Sequence, residues 1–117
     1  IDMHVEVPAV PEPLLLSQPD GEPSAAVRAR VIAARQRALA RQGKANADLD
    51  AAEVDARCVT AASAQALLKS ALARLDLSAR AYHRILRLAR TIADVAGSET
   101  IAPAHVAEAI QYRRGLA

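Results

Sequence analysis

The sequence predicts an all-α fold: a compact bundle of four to five helices preceded by an extended, proline-rich segment. Alanine occurs 29 times among 117 residues, and Phe and Trp are absent. This favours helices, because Ala and Leu are strong helix formers whereas strands favour β-branched and aromatic residues. Five of the six prolines lie within the first 23 residues, where they prevent a helix. We therefore divide the chain into an extended linker, residues 1–23, and a helical domain, residues 24–117.

The extended segment begins with a short strand-like pattern. Polar and apolar side chains alternate from Asp2 to Val7, and the alternation stops at Pro8, as expected for a strand with a period of two. A single strand has no partner of its own, so we expect either the edge of a sheet or a linker from another domain. The chain also starts at Ile1 instead of Met, which predicts that it is part of a longer protein.

The first helix is predicted to begin with Ser24 as its N-cap and to run to about Gln42, with Gly43 ending it. Apolar residues recur at i, i+4, i+7 and i+11, the spacing of a helix face that packs on a core. We call this face the predicted α1 core stripe, and it comprises Val27, Val31, Ala34 and Ala38.

Two shorter helices follow a connection over residues 44–49. Asp50 and Glu53 form a capping-box pattern that opens a helix ending near Arg57. Thr60 is the predicted N-cap of the next helix, which ends near Leu75 or Asp76. The apolar face of that helix comprises Leu67, Leu68, Ala71, Leu72 and Leu75.

The last two helices have the clearest start and stop signals. Ser78 is the predicted N-cap of a helix that runs to Ala96 and closes at Gly97. Its apolar face comprises Ile85, Leu88, Ile92 and Val95. Pro103 suits the first position of a final helix through about Tyr112. Val106, Ala109 and Ile110 are expected to dock it.

Charge and reactive side chains exclude several classes of protein. Fifteen Lys and Arg against thirteen Asp and Glu leave a net charge of +2, too small to indicate general DNA binding. One Cys excludes a disulfide framework, and His4, His83 and His105 are too far apart for a zinc motif. No apolar run could span a membrane, and residues 1–23 lack the pattern of a signal peptide. We therefore expect a cytoplasmic protein with no membrane partner and no metal site.

Three arginines share one face of the helix that Ser78 opens. Arg80, Arg84 and Arg87 recur at i, i+4 and i+7. An anion beside Arg80 would gain from the guanidinium and from the free backbone donors of the first turn. The spacing leaves two interpretations open: a phosphate-facing site, or a solvated face paired with Asp76 or Asp94.

A family resemblance extends over nearly the whole chain. Residues 77–96, LSARAYHRILRLARTIADVA, and the following Gly97-Ser98-Glu99 and HVAEAIQYR closely resemble the C-terminal end of magnesium-chelatase-like AAA+ ATPases. Within these proteins, the chain is most similar to the bacterial competence protein M group, also called the YifB type. The opening IDMHVEVP, the later GEPS and Arg35-Gln36-Arg37 resemble the same group.

The resemblance implies a helical lid attached to an α/β ATPase core. It implies that Arg80 is the sensor-2 arginine, which reaches the γ-phosphate of ATP, and we take Arg84 and Arg87 as candidate phosphate-facing support. It also implies that the intact protein binds ATP and Mg²⁺ and forms a ring, expected to be a hexamer, with neighbouring subunits. DNA remodelling and insertion of Mg into porphyrin are both activities of such proteins, and DNA remodelling is the one expected here.

The fragment itself is not expected to be an enzyme. Its four glycines stand singly and none precedes a Lys-Ser or Lys-Thr pair, so no phosphate-binding loop is present. Cys58 is expected to be a small buried residue, and His83 and His105 are expected to be solvated. We therefore assign no catalytic residue within the fragment, and we expect a monomer without tightly bound ATP. The alternative function is a free-standing helical adaptor or DNA-binding bundle that uses the first helix through Arg28, Arg30, Arg35, Arg37 and Arg41.

Overall fold

A computed structural model describes residues 2–9 and 21–114 of the chain. These residues form helices and contain no β-strand, which confirms the all-α fold class. A short 3₁₀ turn, Asn46–Asp48, lies between the first two helices. The described residues contain five α-helices: α1 (Ser24–Gln42), α2 (Ala51–Arg57), α3 (Ala62–Leu75), α4 (Ala79–Ala96) and α5 (Pro103–Arg114).

Helix α4 is the centre of the bundle. It packs against α1, α2, the 3₁₀ turn and α5, while α3 packs against α5. The side of α4 that faces the core is lined by Ile85, Leu86, Ala89 and Ala93, all almost completely buried. Because three of the other four described helices pack against α4 directly, its position determines how the described helices are arranged.

The core is small and aliphatic, as the composition predicts. Buried residues from the other elements complete it: Leu49, Val54, Cys58, Ala64, Leu68, Ile101, Val106 and Ala109. The predicted docking residues of the last helix are confirmed, since Val106 and Ala109 are fully buried and Ile110 packs against the same core.

The predicted helix starts are confirmed in part. Asp50 and Glu53 form the complete capping box, with the Glu53 N–H donating to Asp50 Oδ1 at 2.8 Å. Ser78 Oγ accepts from the Ala81 N–H at 3.2 Å and caps α4 as predicted. Two predicted N-caps are wrong. Ser24 is already helical and Pro23 takes the N-cap position, while Thr60 lies before α3 and donates its hydroxyl to the Gln65 side chain.

The predicted helix ends are correct because they depend on local backbone conformation. Gly43 and Gly97 end α1 and α4 with φ values of 74° and 76°, a left-handed conformation that glycine adopts without steric cost. Asp76 ends α3 in the same region of conformational space with φ 51°. As a non-glycine residue with positive φ, Asp76 is uncommon.

The predicted α1 core stripe is only half correct. Ala34 and Ala38 are buried, but Val27 and Val31 are exposed. The buried residues of α1 all lie in its second half, so only that half packs on the bundle, and the first half leaves its valines uncovered. On α4, the predicted apolar residue Val95 is also exposed.

The extended segment is described only in part. Residues 2–9 have no regular secondary structure and are exposed, so the strand-like alternation does not form a strand here. The His4 N–H donates to the carbonyl oxygen of Tyr112 at 2.7 Å and ties this segment to α5. The rest of the predicted proline-rich segment, residues 10–20, lies outside the described residues.

Candidate functional site

Arg80 occupies the second position of helix α4, two residues after the Ser78 cap. Its side chain is exposed, and no ion pair joins it to any of the described residues, Asp76 included. The backbone N–H groups of a first helical turn have no intrahelical acceptor, and among the described residues the Ser78 side chain accepts from one of them, the Ala81 N–H. The start of α4 therefore presents a guanidinium group and backbone donors to solvent together.

The other two arginines of the predicted face contact protein groups. Arg84 Nε lies 3.3 Å from Asp2 Oδ1. Arg87 donates from Nη1 to the carbonyl oxygen of Leu49 at 3.1 Å. Both side chains are half-buried. The helix thus carries the three guanidinium groups along one side, but Arg80 differs from the other two in its exposure and in its lack of a protein acceptor among the described residues.

A fourth arginine of α4 lies in a polar network that the sequence did not predict. Arg90 is 1% exposed, and Asp94, one turn later, is 2% exposed. Arg90 Nη2 lies 3.0 Å from Asp94 Oδ1. Arg90 also donates to the carbonyl oxygens of Ser98 at 2.6 Å and Glu99 at 2.8 Å. Its spacing of four residues from Asp94 was the available sequence signal, since such pairs face each other on a helix.

Two side chains from outside α4 complete this network. Arg41 of α1 donates to both carboxylate oxygens of Asp94, at 2.9 and 3.0 Å. The buried Asn46 side chain of the 3₁₀ turn donates to Asp94 Oδ2 at 2.9 Å. Arg37 adds a hydrogen bond to the backbone carbonyl of Asp94. The network therefore joins α1, the 3₁₀ turn and the last turn of α4 through one carboxylate.

The electrostatics of Asp94 follow from these contacts. Burial by itself would raise the pKa of Asp94, but hydrogen bonds from Arg41 and Asn46 and the positive charge of Arg90 outweigh it and hold the pKa below its ordinary value. Burial also lowers the pKa of Arg90, although Asp94 opposes this. The Nε atom of Arg90 is buried and has no acceptor among the described residues. Asp94 is thus the counter-charge that makes two arginines tolerable at this position.

A groove of about 580 Å³ lies beside the network. Arg37, Arg41 and Arg90 line it together with Asp94 and the backbone at Gly97 to Glu99. These arginines already bind the carboxylate or the carbonyl oxygens at the end of α4, where the helix dipole favours cations over anions. The arginines that line the groove are therefore already paired with protein oxygens.

The other candidate residues have structural surroundings. Cys58 is buried, and burial raises the pKa of its thiol to about 11, so it is not an activated nucleophile. His83 was expected to be solvated, but it is half-buried with Nε2 3.3 Å from Asp55 Oδ1. His105 Nδ1 accepts from the Ala102 N–H at 2.9 Å at the start of α5. The expectation of solvated histidines is thus wrong for both.

The arginines of α1 divide into two groups. Arg30 pairs with Glu22, and Arg37 and Arg41 turn toward Asp94. Arg28 and Arg35 are exposed and form no ion pair among the described residues. The Arg-rich helix of the alternative function therefore offers solvent two unengaged guanidinium groups instead of five.

Comparison with known proteins identifies the family. The family described as magnesium chelatase, subunit ChlI C-terminal, matches residues 21–113. The chain belongs to this family. It is 43% identical over 113 residues to competence protein ComM of Haemophilus influenzae, an alignment that covers 96% of this chain and 22% of the relative. It is also 43% identical over 114 residues to the proteins named YifB of Escherichia coli and Salmonella typhimurium, with the same coverage.

Membership of the magnesium chelatase ChlI C-terminal family confirms the predicted resemblance, and the chain is a domain of a magnesium-chelatase-like AAA+ protein. The chain spans 22% of the length of these curated relatives. No helix within residues 2–9 and 21–114 is long and apolar enough to cross a membrane.

The described residues include a side chain that suits a phosphate group but no cluster that could hold a metal ion. Arg80 at the start of α4 suits a phosphate group, because a guanidinium stays charged and donates paired hydrogen bonds to phosphate oxygens. Among the described residues, no cluster of three His, Cys, Asp or Glu side chains could hold a metal ion. Arg80 is therefore the side chain of this helix start that fits a phosphate group.

Proposed function

We propose that this domain is the lid of a magnesium-chelatase-like AAA+ ATPase and that Arg80 is its sensor-2 arginine, which contacts the γ-phosphate of bound ATP. The observation that carries the proposal is the contrast along α4. Arg84, Arg87 and Arg90 each contact a protein oxygen, whereas Arg80 is exposed beside a helix start without a protein acceptor among the described residues. A phosphate group would satisfy both Arg80 and the free backbone donors.

The chain's own residues perform two tasks in this proposal. Ser78 fixes the first turn of α4 through its bond to the Ala81 N–H and so sets where Arg80 projects. Arg80 places a permanent positive charge at the site where negative charge is redistributed during phosphoryl transfer. ATP and Mg²⁺, held by the rest of the ATPase, supply the transferred phosphoryl group and its metal counter-charge.

The ion pairs near the C-terminal end of α4 would couple the contact between Arg80 and the γ-phosphate to the rest of the lid. Asp94 and Arg90 lock the far end of α4 to α1 and to the chain that leads into α5. A displacement of Arg80 when the γ-phosphate is lost would therefore move the lid as one body. In a ring with neighbouring subunits, which we expect to be a hexamer, this motion is the proposed link from hydrolysis to mechanical work.

The test is the hydrolysis rate of the full-length ATPase carrying Arg80→Ala. We expect the rate at saturating ATP to fall by about 100-fold or more, the usual effect of removing a group that stabilises the transition state. Arg80→Lys keeps the charge but loses the paired geometry, so it should recover part of the rate. Arg74→Ala, which removes an exposed cation from α3, is the matched control and should leave hydrolysis unchanged. Near-normal hydrolysis in Arg80→Ala with a melting temperature lowered by several degrees would instead make Arg80 a structural residue.

DNA is the proposed substrate of the whole ATPase, on the basis of the similarity to the competence group. The lid itself is not proposed as the main DNA contact. Its net charge is only +2, and it contains two Tyr but no Phe or Trp, whereas strand binding relies on stacking side chains and a basic groove. Stimulation of ATP hydrolysis by added DNA would support this substrate. Stimulation by a porphyrin and not by DNA would favour metal insertion instead.

A further inference from the structure

The charge of the domain is divided unevenly between two neighbouring segments. Helix α1 carries five arginines and no acidic residue. Residues 48–55, which end the 3₁₀ turn and form most of α2, carry four carboxylates and no Lys or Arg. Opposite charge on two separate surfaces of one chain is the arrangement expected where copies of the chain bind each other head to tail.

The exposed side of α1 combines charge with apolar surface. Arg28 and Arg35 are exposed, and three aliphatic side chains lie beside them on the same side of the helix: Val31 is 54%, Ile32 42% and Leu39 39% exposed. At 100° per residue these five positions fall within about one third of the helix circumference. We call this surface the exposed α1 stripe, defined as Arg28, Val31, Ile32, Arg35 and Leu39.

Most of this stripe is open to solvent in the single chain. Helix α1 contacts α4 through Ala34 and Ala38, the buried residues of its second half. Val31 and Arg35 lie next to this packing face and line a groove together with the two alanines, but their side chains remain exposed, as does the rest of the stripe. Aliphatic residues between guanidinium groups are typical of a protein interface, where an apolar centre is flanked by charge, and phosphate backbones gain little from them.

The acidic surface has the complementary charge. Asp48 and Asp55 are exposed at its two ends, Asp48 in the 3₁₀ turn and Asp55 in α2, and Asp55 Oδ1 also lies 3.3 Å from His83 Nε2. Between them α2 exposes the small side chains of Ala51 and Ala52, which allow another helix to approach closely. We call this surface the acidic α2 patch, defined as Asp48, Ala51, Ala52 and Asp55.

We propose that the exposed α1 stripe of one copy of this chain docks on the acidic α2 patch of a second copy. The two surfaces differ, so the contact is heterologous and leaves one stripe and one patch free at the ends of every pair. Repetition of such a contact closes a ring or extends a filament. The proposal rests on the ring assembly of the proposed function and names the contact that would build it, but it does not depend on the role of Arg80.

The test is self-association of the chain, measured by sedimentation equilibrium from micromolar to millimolar concentration. We expect a monomer at the low end and reversible association at the high end that weakens with added salt. Arg28→Glu/Arg35→Glu and Asp48→Arg/Asp55→Arg should each weaken association by roughly tenfold or more. An equimolar mixture of these two variants should recover association, because the reversed charges are again complementary.

Two controls distinguish this contact from a general effect of charge and from nucleic-acid binding. Lys69→Glu/Arg74→Glu reverses two exposed charges of α3 and should leave association unchanged, as should Arg80→Ala. Absence of association at millimolar concentration, equal weakening by the α3 control, or a failure of the mixture to recover would each overturn the proposal. If Arg28→Glu/Arg35→Glu instead abolished salt-dependent binding to a short DNA duplex and left association intact, the stripe would bind nucleic acid, which also overturns it.

Discussion

The two ends of helix α4 carry the same residue type in opposite situations. Arg80 at the start is exposed and has no protein acceptor among the described residues, whereas Arg90 near the end is 1% exposed and binds Asp94 and two carbonyl oxygens. A buried arginine is tolerated only when its charge and donors are satisfied from within. An exposed one at a helix start remains available to a ligand. The comparison separates an arginine whose donors are satisfied within the fold from one whose donors are open to a ligand.

The largest effect that tests this comparison is expected at the buried end. Asp94→Asn leaves Arg90 and Arg41 without their counter-charge, and breaking a buried ion pair in this way typically costs about 3 to 5 kcal/mol. Urea unfolding of the chain should show a loss of this size. Asp48→Asn, which changes an exposed carboxylate with no ion pair among the described residues, is the matched control and should cost little. A loss below about 1 kcal/mol for Asp94→Asn would mean that water enters the site and that the two ends of α4 are less different than proposed.

The pH dependence of stability gives the next largest effect. The folded-state pKa of Asp94 is below its ordinary value of 3.8, so its contribution is complete above pH 3.8 and is lost as the pH falls through the lower folded-state value. We expect the unfolding free energy of the wild-type chain to fall more steeply with acid than that of Asp94→Asn. Denaturant unfolding from about pH 5 to about pH 2 measures both slopes. Parallel slopes would assign the acid sensitivity to other carboxylates.

The smallest effect is expected at the exposed end. Arg80→Ala removes a surface side chain with no internal acceptor among the described residues, so the unfolding free energy should change by at most about 0.5 kcal/mol. Ser78→Ala, two residues earlier, removes the cap bond to the Ala81 N–H and should cost about 1 kcal/mol. Thermal unfolding should therefore rank the wild-type chain first, Arg80→Ala next and Ser78→Ala last. If Arg80→Ala proved more damaging than Ser78→Ala, Arg80 would have an internal contact and would not be free for a ligand.

The helix boundaries were predictable because their signals are local. Gly43, Gly97 and the Asp50 capping box act through backbone conformation and near neighbours, which a sequence displays directly. The exposed Val27 and Val31 could not be predicted in the same way. Their spacing matches a buried face, but how far α1 extends beyond the bundle is set by its packing on α4, a tertiary contact.

The sequence predicted where the candidate site lies, but it did not predict which residues pair with the arginines of α4. The sequence located Arg80 at the start of α4, but it offered Asp94 as a partner for the arginine face, whereas Asp94 pairs with Arg90 and Arg41. Arg41 and Asp94 are 53 residues apart, and no periodicity connects residues at that separation. A sequence can show which side chains share a helix face, but the acceptor that each one finds depends on the fold.

The pairing of Thr60 with Ile101 has a consequence for how the domain opens. The Ala61 N–H donates to the Ile101 carbonyl at 3.0 Å, and the Ile101 N–H donates to the Val59 carbonyl at 2.9 Å. These two hydrogen bonds join the residues just before α3 to Ile101, which follows α4 and is fully buried. If the start of α3 separates from Ile101, the segment that leads into α5 loses the same two hydrogen bonds. These amide protons should consequently exchange with solvent only through the most cooperative opening of the molecule, while the first turns of α1 exchange by fraying.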